Sequence, residues 1–267
     1  MDDNGKPISL SQTHLAQREF FSRTRSFTRR GDRISESLQN TWDNYKNDYM
    51  VELERGFGQT TVADNFHVDW DKEFGRKAPL IVEIGCGAGD QIVSFAKNHP
   101  EYNIIGFEVW YPGLVKTISS AVKEKVNNIR LVEVDAVQAF PIIIEPNTLE
   151  QVWTFFPDPW RKKRHHKRRI VQPLFSNIVA DALKDGGIWR LSTDWDDYAW
   201  HIRDVLESND RFVNLYKGKN PDPLDPCVGR GGFAPRWEER IMTRFEQRGM
   251  DAGRNLHDFA FAKKPVS

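Results

Sequence analysis

The chain has 267 residues, enough for one α/β domain with terminal extensions and too few for two full domains. Lys and Arg number 38 and Asp and Glu number 38, and a hydrophobic content of 39% favours a packed core over wholesale disorder. No run reaches the roughly 18 apolar residues that cross a bilayer, and the N-terminus lacks a signal-peptide pattern, so we expect a cytoplasmic protein without a membrane partner. Cys86 and Cys227 lie far apart, which argues against structural zinc.

Positive charge is distributed unevenly along this neutral chain. It is concentrated at 18–33 and in the run RKKRHHKRR at 161–169. Such asymmetry can give a neutral protein one strongly basic face. We therefore expect residues 1–40 to form a basic, partly disordered arm, followed by one folded domain over 41–267.

In chain order, a short helix within 41–76 precedes a region in which strands alternate with helices. Apolar runs predict strands at 80–84, 103–109, 129–134, 149–156, 187–192 and 256–262, and helical periodicity predicts helices at 91–98, 114–122, 171–182 and 198–206. Asp90 is the expected N-cap of the first of these helices, and Gly186-Gly187 the expected end of the third. The Pro- and Gly-rich segment 217–236 is predicted to be a long loop. The alternation implies a doubly wound, mostly parallel sheet.

The first predicted strand ends in the glycine-rich sequence EIGCGAG, with Gly85, Gly87 and Gly89. Glycines there allow a sharp turn into the next helix and a close approach to a ligand. The G-x-G-x-G spacing differs from a dinucleotide fingerprint and argues against a nicotinamide dehydrogenase. Glu83, two residues before Gly85, suits a ligand with positive charge, such as the amino group and sulfonium of S-adenosylmethionine.

The next two strands also end in acidic residues. Glu108 can accept hydrogen bonds from both ribose hydroxyls, and Asp135 can contact the adenine edge. Ligands of such sheets bind at the carboxyl ends of the strands. We therefore expect Glu83, Glu108, Asp135 and the three glycines to bind S-adenosylmethionine.

The fourth predicted strand leads into FFPDPWRKKRHHKRR, where we expect the methyl acceptor to bind. Pro157 and Pro159 fix the backbone around Asp158, and Trp160 offers a face on which a base can stack. The basic run can neutralise phosphates, and its charge would repel divalent metals from His165 and His166.

These residues fit guanine. A carboxylate at Asp158 can accept from N1–H and N2–H₂ together. N7 has a free lone pair and needs no general base, so Asp158 would position the base and stabilise the cationic product.

Several segments together resemble the tRNA (guanine-N7)-methyltransferases of the bacterial single-chain type. They are RSFTRRGDRIS, EIGCGAG, GFEVW, FPDPWRKKRHHKRR, STDWDDYA and TRFEQRG, which are spread over most of the chain. The resemblance implies a Rossmann-like class I S-adenosylmethionine-dependent methyltransferase fold with seven strands. It also implies methylation of the variable-loop guanine 46 of tRNA, with no metal and no obligatory protein partner, in a monomer or homodimer.

The resemblance also implies roles for individual residues. Glu83, Glu108 and Asp135 match cofactor contacts, and Asp158 matches a residue of both the cofactor site and catalysis. Lys162 and Asp194 match substrate contacts. The expected tRNA-binding motif near the C-terminus consists of Thr243, Arg244, Phe245 and Glu246. Arg244 replaces the commoner lysine with a planar cation, and the loop before the motif is longer than usual.

Two alternatives stay open at this stage. One is a methyltransferase that acts on DNA, protein or a small molecule, although the long basic run argues against a small acceptor. The other is a non-catalytic RNA-binding protein on the same fold, which the glycines and strand-end acids disfavour.

Overall fold

The computed structural model describes residues 33–265, without the side chains of residues 244 and 245. Residues 1–32, which hold most of the predicted basic arm, lie outside the described residues. The first helix, α1 (Glu36–Tyr49), begins within the segment predicted as arm. It begins there because the Ser35 hydroxyl accepts a hydrogen bond from the Leu38 N–H and caps the helix.

Seven strands form one sheet: β1 (Leu80–Ile84), β2 (Asn103–Glu108), β3 (Ile129–Glu133), β4 (Leu149–Phe155), β5 (Leu183–Thr193), β6 (Phe212–Asn214) and β7 (His257–Lys263). Their order across the sheet is β3-β2-β1-β4-β5-β7-β6. Only β7 runs antiparallel to its neighbours, β5 and β6. This arrangement confirms the predicted Rossmann-like, doubly wound, mostly parallel class I methyltransferase fold.

The helices that connect the strands cover both faces of the sheet. They are α2 (Trp70–Phe74), α3 (Asp90–Asn98), α4 (Tyr111–Glu124), α5 (Ala136–Ile143), α6 (Pro173–Ala182), α7 (Asp196–Ser208) and α8 (Arg244–Asp251), with a 3₁₀ helix at Lys163–Arg168. Within residues 33–265, no helix combines the length and apolar character that a bilayer crossing requires.

Two predicted helix ends are wrong. Asp90 is the first residue of α3, and the N-cap is Gly89, whose φ of 79° only glycine adopts without strain. Gly186 and Gly187 do not end α6; they lie inside β5, which begins at Leu183 because the chain turns extended directly after the helix. The sequence also gave no sign of α5, α8 or β6.

The core lies on both faces of the sheet, which explains the continuous apolar runs. In β1 all five residues are buried. Val82 packs into the hydrophobic cluster of one face, and Ile81 packs into the cluster of the other. Side chains of a strand point alternately to the two faces, so a sheet covered on both sides buries every position.

The strand order reverses at β1, which pairs in parallel orientation with β2 on one side and with β4 on the other. β2 and β3 extend the sheet on one side, and β4 and β5 extend it on the other. The carboxyl ends of β1, β2, β3 and β4 therefore meet at one edge. A crevice at such a reversal is the usual ligand site in open α/β sheets.

The predicted loop at 217–236 contains no helix or strand but is bound to α7. Arg203 and Asp225, each 1% exposed, form a buried ion pair across the junction. The Arg203 guanidinium also donates to the Gly231 carbonyl at 2.7 Å. Arg230 adds contacts to Asp204 and Glu207. This loop is therefore an ordered part of the fold.

Candidate active site

The glycine-rich turn after β1 depends on backbone angles that favour glycine. Gly85, Gly87 and Gly89 have φ angles of 76°, 58° and 79°. A side chain at Gly89 would also collide with Thr117, since a Cβ there would lie 2.4 Å from its hydroxyl oxygen. The turn thus brings peptide N–H groups to the edge of the sheet, where Gly85 lines a cavity.

Glu108, at the end of β2, is held by three backbone N–H groups. Its carboxylate accepts from Gly87 at 2.7 Å, from Val109 at 2.7 Å and from Trp110 at 2.9 Å. Desolvation raises the pKa of Glu108, and the charge of Asp158 adds to the rise, although the three donors lower it. A fixed carboxylate facing the cavity can accept from ribose hydroxyls, and this contact of Glu108 stays a prediction.

Glu83 is a buried carboxyl with an unsatisfied oxygen. Its side chain is 4% exposed, and Oε2 has no hydrogen-bond partner among the described residues. Burial raises the pKa of Glu83 to about 8, and the charges of Glu108 and Asp90 contribute to the rise. Since an unpaired buried carboxylate is costly, this site fits a ligand with an ammonium group, such as S-adenosylmethionine.

Asp135 follows β3 and caps α5. Its carboxylate accepts from the Val137 N–H at 3.0 Å, and its own N–H donates to the Thr60 carbonyl at 2.7 Å. Its neighbours Val134 and Ala136 line the cavity. The structure therefore places this turn at the cavity wall, while the predicted contact of Asp135 with adenine stays a prediction.

The cavity at the strand ends has a volume of about 230 Å³. It is bounded by residues that follow β1, β2, β3 and β4, among them Gly85, Glu108, Val134 and Asp158. Aromatic and aliphatic side chains form most of the remaining wall, and Trp160 and Arg168 lie at its border. Apolar walls with a few placed polar groups are typical of cofactor sites.

The loop after β4 holds Asp158 in a strained backbone. Phe156 and Trp160, which flank the Pro-Asp-Pro segment, have φ angles of 50° and 45°. Non-glycine residues rarely adopt such angles, which cost on the order of 1 kcal/mol or more each. The Asp158 side chain is exposed at the rim, and partial desolvation raises the pKa of its carboxyl.

Arg169 fixes this loop through a hydrogen bond to its backbone. It is 1% exposed, and its Nε donates to the Pro159 carbonyl at 2.9 Å. The guanidinium pairs with Asp197 and lies over the Tyr198 ring at 4.7 Å. The basic run at 161–169 is therefore not uniform: its last residue is buried and cannot contact phosphates, contrary to the sequence interpretation.

A second cavity of about 290 Å³ lies on the other side of Asp158. It is lined by Asp158, Trp160, Asp194 and Arg254 together with neighbouring loop residues. Three predicted site residues therefore meet there. Lys162 does not line it; this exposed side chain lies at the start of the 3₁₀ helix.

The TRFE motif begins α8 and is built around a buried ion pair. The Thr243 hydroxyl accepts from the Glu246 N–H at 3.1 Å and caps the helix. The Glu246 carboxylate is fully buried and lies 3.2 Å from Arg236 and 2.7 Å from Arg240. Glu246 is therefore a structural partner of two arginines, and its predicted contact with tRNA stays a prediction.

α8 also supports the second cavity. A Cβ at Gly249 would lie 2.9 Å from an Asp194 carboxylate oxygen, so the helix packs closely on that residue. Asp194 is 8% exposed and contacts Arg254 at 2.5 Å. The side chains of Arg244 and Phe245 lie outside the described residues. Sequence reasoning missed Arg169, Gly249 and Arg254, and only Arg169 carried a signal, as the end of the basic run.

The sequence model of a protein family described as "Putative methyltransferase" matches residues 77–259, more than half of the chain. A tRNA (guanine-N(7)-)-methyltransferase of Cutibacterium acnes is 41% identical, over 89% of this chain and 82% of that protein. Its namesake in Salmonella typhimurium is 37% identical, over 98% of this chain and 95% of that protein.

Similarity to solved structures is weaker. The Haemonchus contortus phosphoethanolamine N-methyltransferase 2 in complex with S-adenosyl-L-methionine aligns with 94% of this chain and 60% of that chain. Its identity is 15% and the TM-score is 0.43.

Proposed function

This chain belongs to the tRNA (guanine-N7)-methyltransferase family, and we propose that it transfers a methyl group from S-adenosylmethionine to N7 of guanine 46 in the variable loop of tRNA. Its partner would be tRNA in the cytoplasm, without an obligatory second protein. One observation carries the proposal. Asp158 lines both the cavity at the strand ends and the second cavity beside Trp160 and Asp194.

The strand-end residues would hold the methyl donor. When bound, S-adenosylmethionine supplies a methyl group activated by a positively charged sulfur. Glu83 would lose its proton and pair with the ammonium group, which satisfies its buried oxygen. Glu108, fixed by three N–H groups, would accept from the ribose hydroxyls.

The second cavity would hold the guanine. Asp158 would accept from N1–H and N2–H₂ of the base, while Trp160 supports its face. N7 attacks through its own lone pair, so no residue has to remove a proton. The Asp158 carboxylate lowers the barrier by orienting the base and by stabilising the positive charge that develops on the ring.

The exposed basic residues beside the cavity would bind tRNA phosphates. Lys162, Lys163 and Arg164 are exposed at the start of the 3₁₀ helix that follows the Asp158 loop, with Lys162 as its N-cap. Desolvation lowers the pKa of His165, and the charges of Arg168, Arg164 and Lys162 lower it further. Phosphate contacts of this kind give affinity without reading the sequence.

Transfer of labelled methyl from S-adenosylmethionine to tRNA transcripts tests the proposal. We expect labelling of a transcript with guanine at position 46 and none when that base is adenine. Equal labelling of both transcripts would refute the position, and labelling of neither would favour a protein that only binds RNA. Asp158→Asn keeps the shape but loses the charge, and full activity in this variant would refute the role of Asp158.

A further inference from the structure

The second cavity holds two cationic side chains, Arg161 and Arg254, among its acidic and aromatic walls. Arg254 lines this cavity together with Asp158 and Asp194. We propose that Arg254 determines specificity for guanine by donating a hydrogen bond to O6 of the target base. This inference rests on the proposed function, because it assumes that guanine enters this cavity.

The charges of the cavity match the Watson–Crick edge of guanine. That edge presents one acceptor, O6, followed by two donors, N1–H and N2–H₂. A guanidinium can only donate and a carboxylate can only accept. Arg254 beside Asp158 therefore offers a donor for O6 next to an acceptor for N1–H and N2–H₂. Adenine carries an amino group in place of O6, and it would face the guanidinium with a donor.

Arg254 is fixed by an ion pair with Asp194 that leaves other N–H groups of its guanidinium able to bind a ligand. Its side chain is 34% exposed and contacts Asp194 through Nη1 at 2.5 Å. A guanidinium has five N–H donors in a planar fork, so the contact leaves others for a ligand. The backbone N–H of Arg254 donates to the Gly249 carbonyl at 3.0 Å, which fixes the residue to the end of α8. The TRFE helix therefore acts on guanine indirectly, by placing Arg254 and Asp194.

Arg161 is the other cation of this cavity, and it fits the role less well. Its guanidinium lies over the Trp195 ring at 4.5 Å, and its side chain is exposed. An exposed cation at the start of the basic run is suited to phosphate. Arg254 is instead held by an ion pair with Asp194, whose side chain is 8% exposed.

Three tRNAs that differ only at base 46 test the proposal. One carries guanine, one carries 6-thioguanine and one carries inosine. 6-Thioguanine replaces O6 with sulfur, a weak acceptor, and keeps both donors. Inosine keeps O6 and N1–H and lacks the N2 amino group. The enzyme forms are wild type, Arg254→Gln, Arg254→Lys and Arg211→Gln. Arg211 is a matched control, since it is also 34% exposed and pairs with a carboxylate, Asp181, at 2.7 Å.

We expect the wild type to prefer guanine over 6-thioguanine by about 10-fold in kcat/KM, the effect of one hydrogen bond to a charged group. Arg254→Gln should lose this preference. Like wild type, it should still have a lower kcat/KM on the inosine tRNA than on the guanine tRNA. Arg254→Lys should keep part of the preference for guanine over 6-thioguanine. Arg211→Gln should match wild type on all three tRNAs. A purely structural role of Arg254 predicts instead that its variants slow all three tRNAs by one common factor, and that result would overturn the proposal.

Two further outcomes would also overturn it. A wild-type enzyme that treats guanine and 6-thioguanine alike does not read O6, although the proposed function would stand. A wild-type enzyme that methylates none of the tRNAs refutes the proposed function, and the role of Arg254 falls with it.

Discussion

Replacing Glu83 by glutamine should change how folding and methyl-donor binding depend on pH. In the folded protein the pKa of Glu83 is about 8, against 4.5 for a solvated glutamate. Between these values the folded state keeps a proton that the unfolded state has lost. The unfolded state therefore binds fewer protons, and the free energy of unfolding falls as pH rises from 4.5 to 8.

The size of this effect follows from the two pKa values. Their difference is 8 − 4.5 = 3.5 pH units, which corresponds to roughly 5 kcal/mol at about 1.4 kcal/mol per unit. Glutamine does not titrate, so Glu83→Gln should lack this component. Below pH 4.5 Glu83 is protonated in both the folded and the unfolded wild type, and its full contribution to the free energy of unfolding is present. Above pH 8 that contribution is lost.

Urea unfolding of the ligand-free proteins at several pH values between 5 and 8 measures this component. The difference in free energy of unfolding between wild type and Glu83→Gln isolates it from other titrating groups. Glu133→Gln is the control, because Glu133 ends β3, which β2 separates from β1 in the sheet; its profile should follow the wild type. Parallel profiles for wild type and Glu83→Gln would refute the reasoning.

Ligand binding provides a second measurement of the same group. S-adenosylmethionine needs an ionised Glu83, so its affinity for the wild type should rise about tenfold per pH unit from pH 6 to 7.5, with release of a proton. Calorimetry in buffers of different ionisation enthalpy measures that proton. In Glu83→Gln the affinity should be weaker at pH 7.5 and almost independent of pH, and proton release from this variant would assign the titration to another group.

Three further changes test the positioning and binding roles. Arg169→Gln leaves the Pro159 carbonyl unsatisfied, so we expect kcat to fall while KM for tRNA stays similar, with about 1 to 3 kcal/mol lost in urea unfolding. A rise confined to KM would contradict this role. Replacing Lys162 and Lys163 by Gln should make the slope of log K against log salt less steep by about 1.5 to 2, and Lys123→Gln, an exposed control on α4, should leave it unchanged. Glu246→Gln should cost about 3 kcal/mol of stability because two arginines lose a buried partner. Weaker tRNA binding by this variant at unchanged stability would instead support a direct contact between Glu246 and tRNA.

The parts of this protein that follow a local rule were predictable from the sequence. Apolar runs predicted β1 and β2 because a sheet covered on both faces buries nearly every residue of its central strands. Glu83 and Glu108 could be placed together because parallel strands end at one edge. The FPDPW segment concentrates its chemistry within a few residues, so its cavity could be anticipated before the fold was known.

The remaining features depend on contacts between distant segments. Arg169 and Arg168 are neighbours of the same type, yet one is buried under Pro159 and the other is exposed. The sequence alone gives no sign that Glu246 is buried, because only the fold brings Arg236 and Arg240 next to it. Arg254 has no local signal at all, because only the packing of α8 brings it to Asp194.

The strained backbone around Asp158 lowers the stability of the folded protein and at the same time positions the Asp158 carboxylate. A glycine at Phe156 or Trp160 would adopt the observed φ angles without strain and would relieve the folded state. The same change would give the loop more conformations, and the carboxylate that the strain holds in place would sample positions useless for methyl transfer. Selection for a more thermostable protein should therefore favour substitutions at these two positions that remove the backbone strain and lower kcat. Variants selected for stability alone are expected to drift towards a well-folded, slow enzyme.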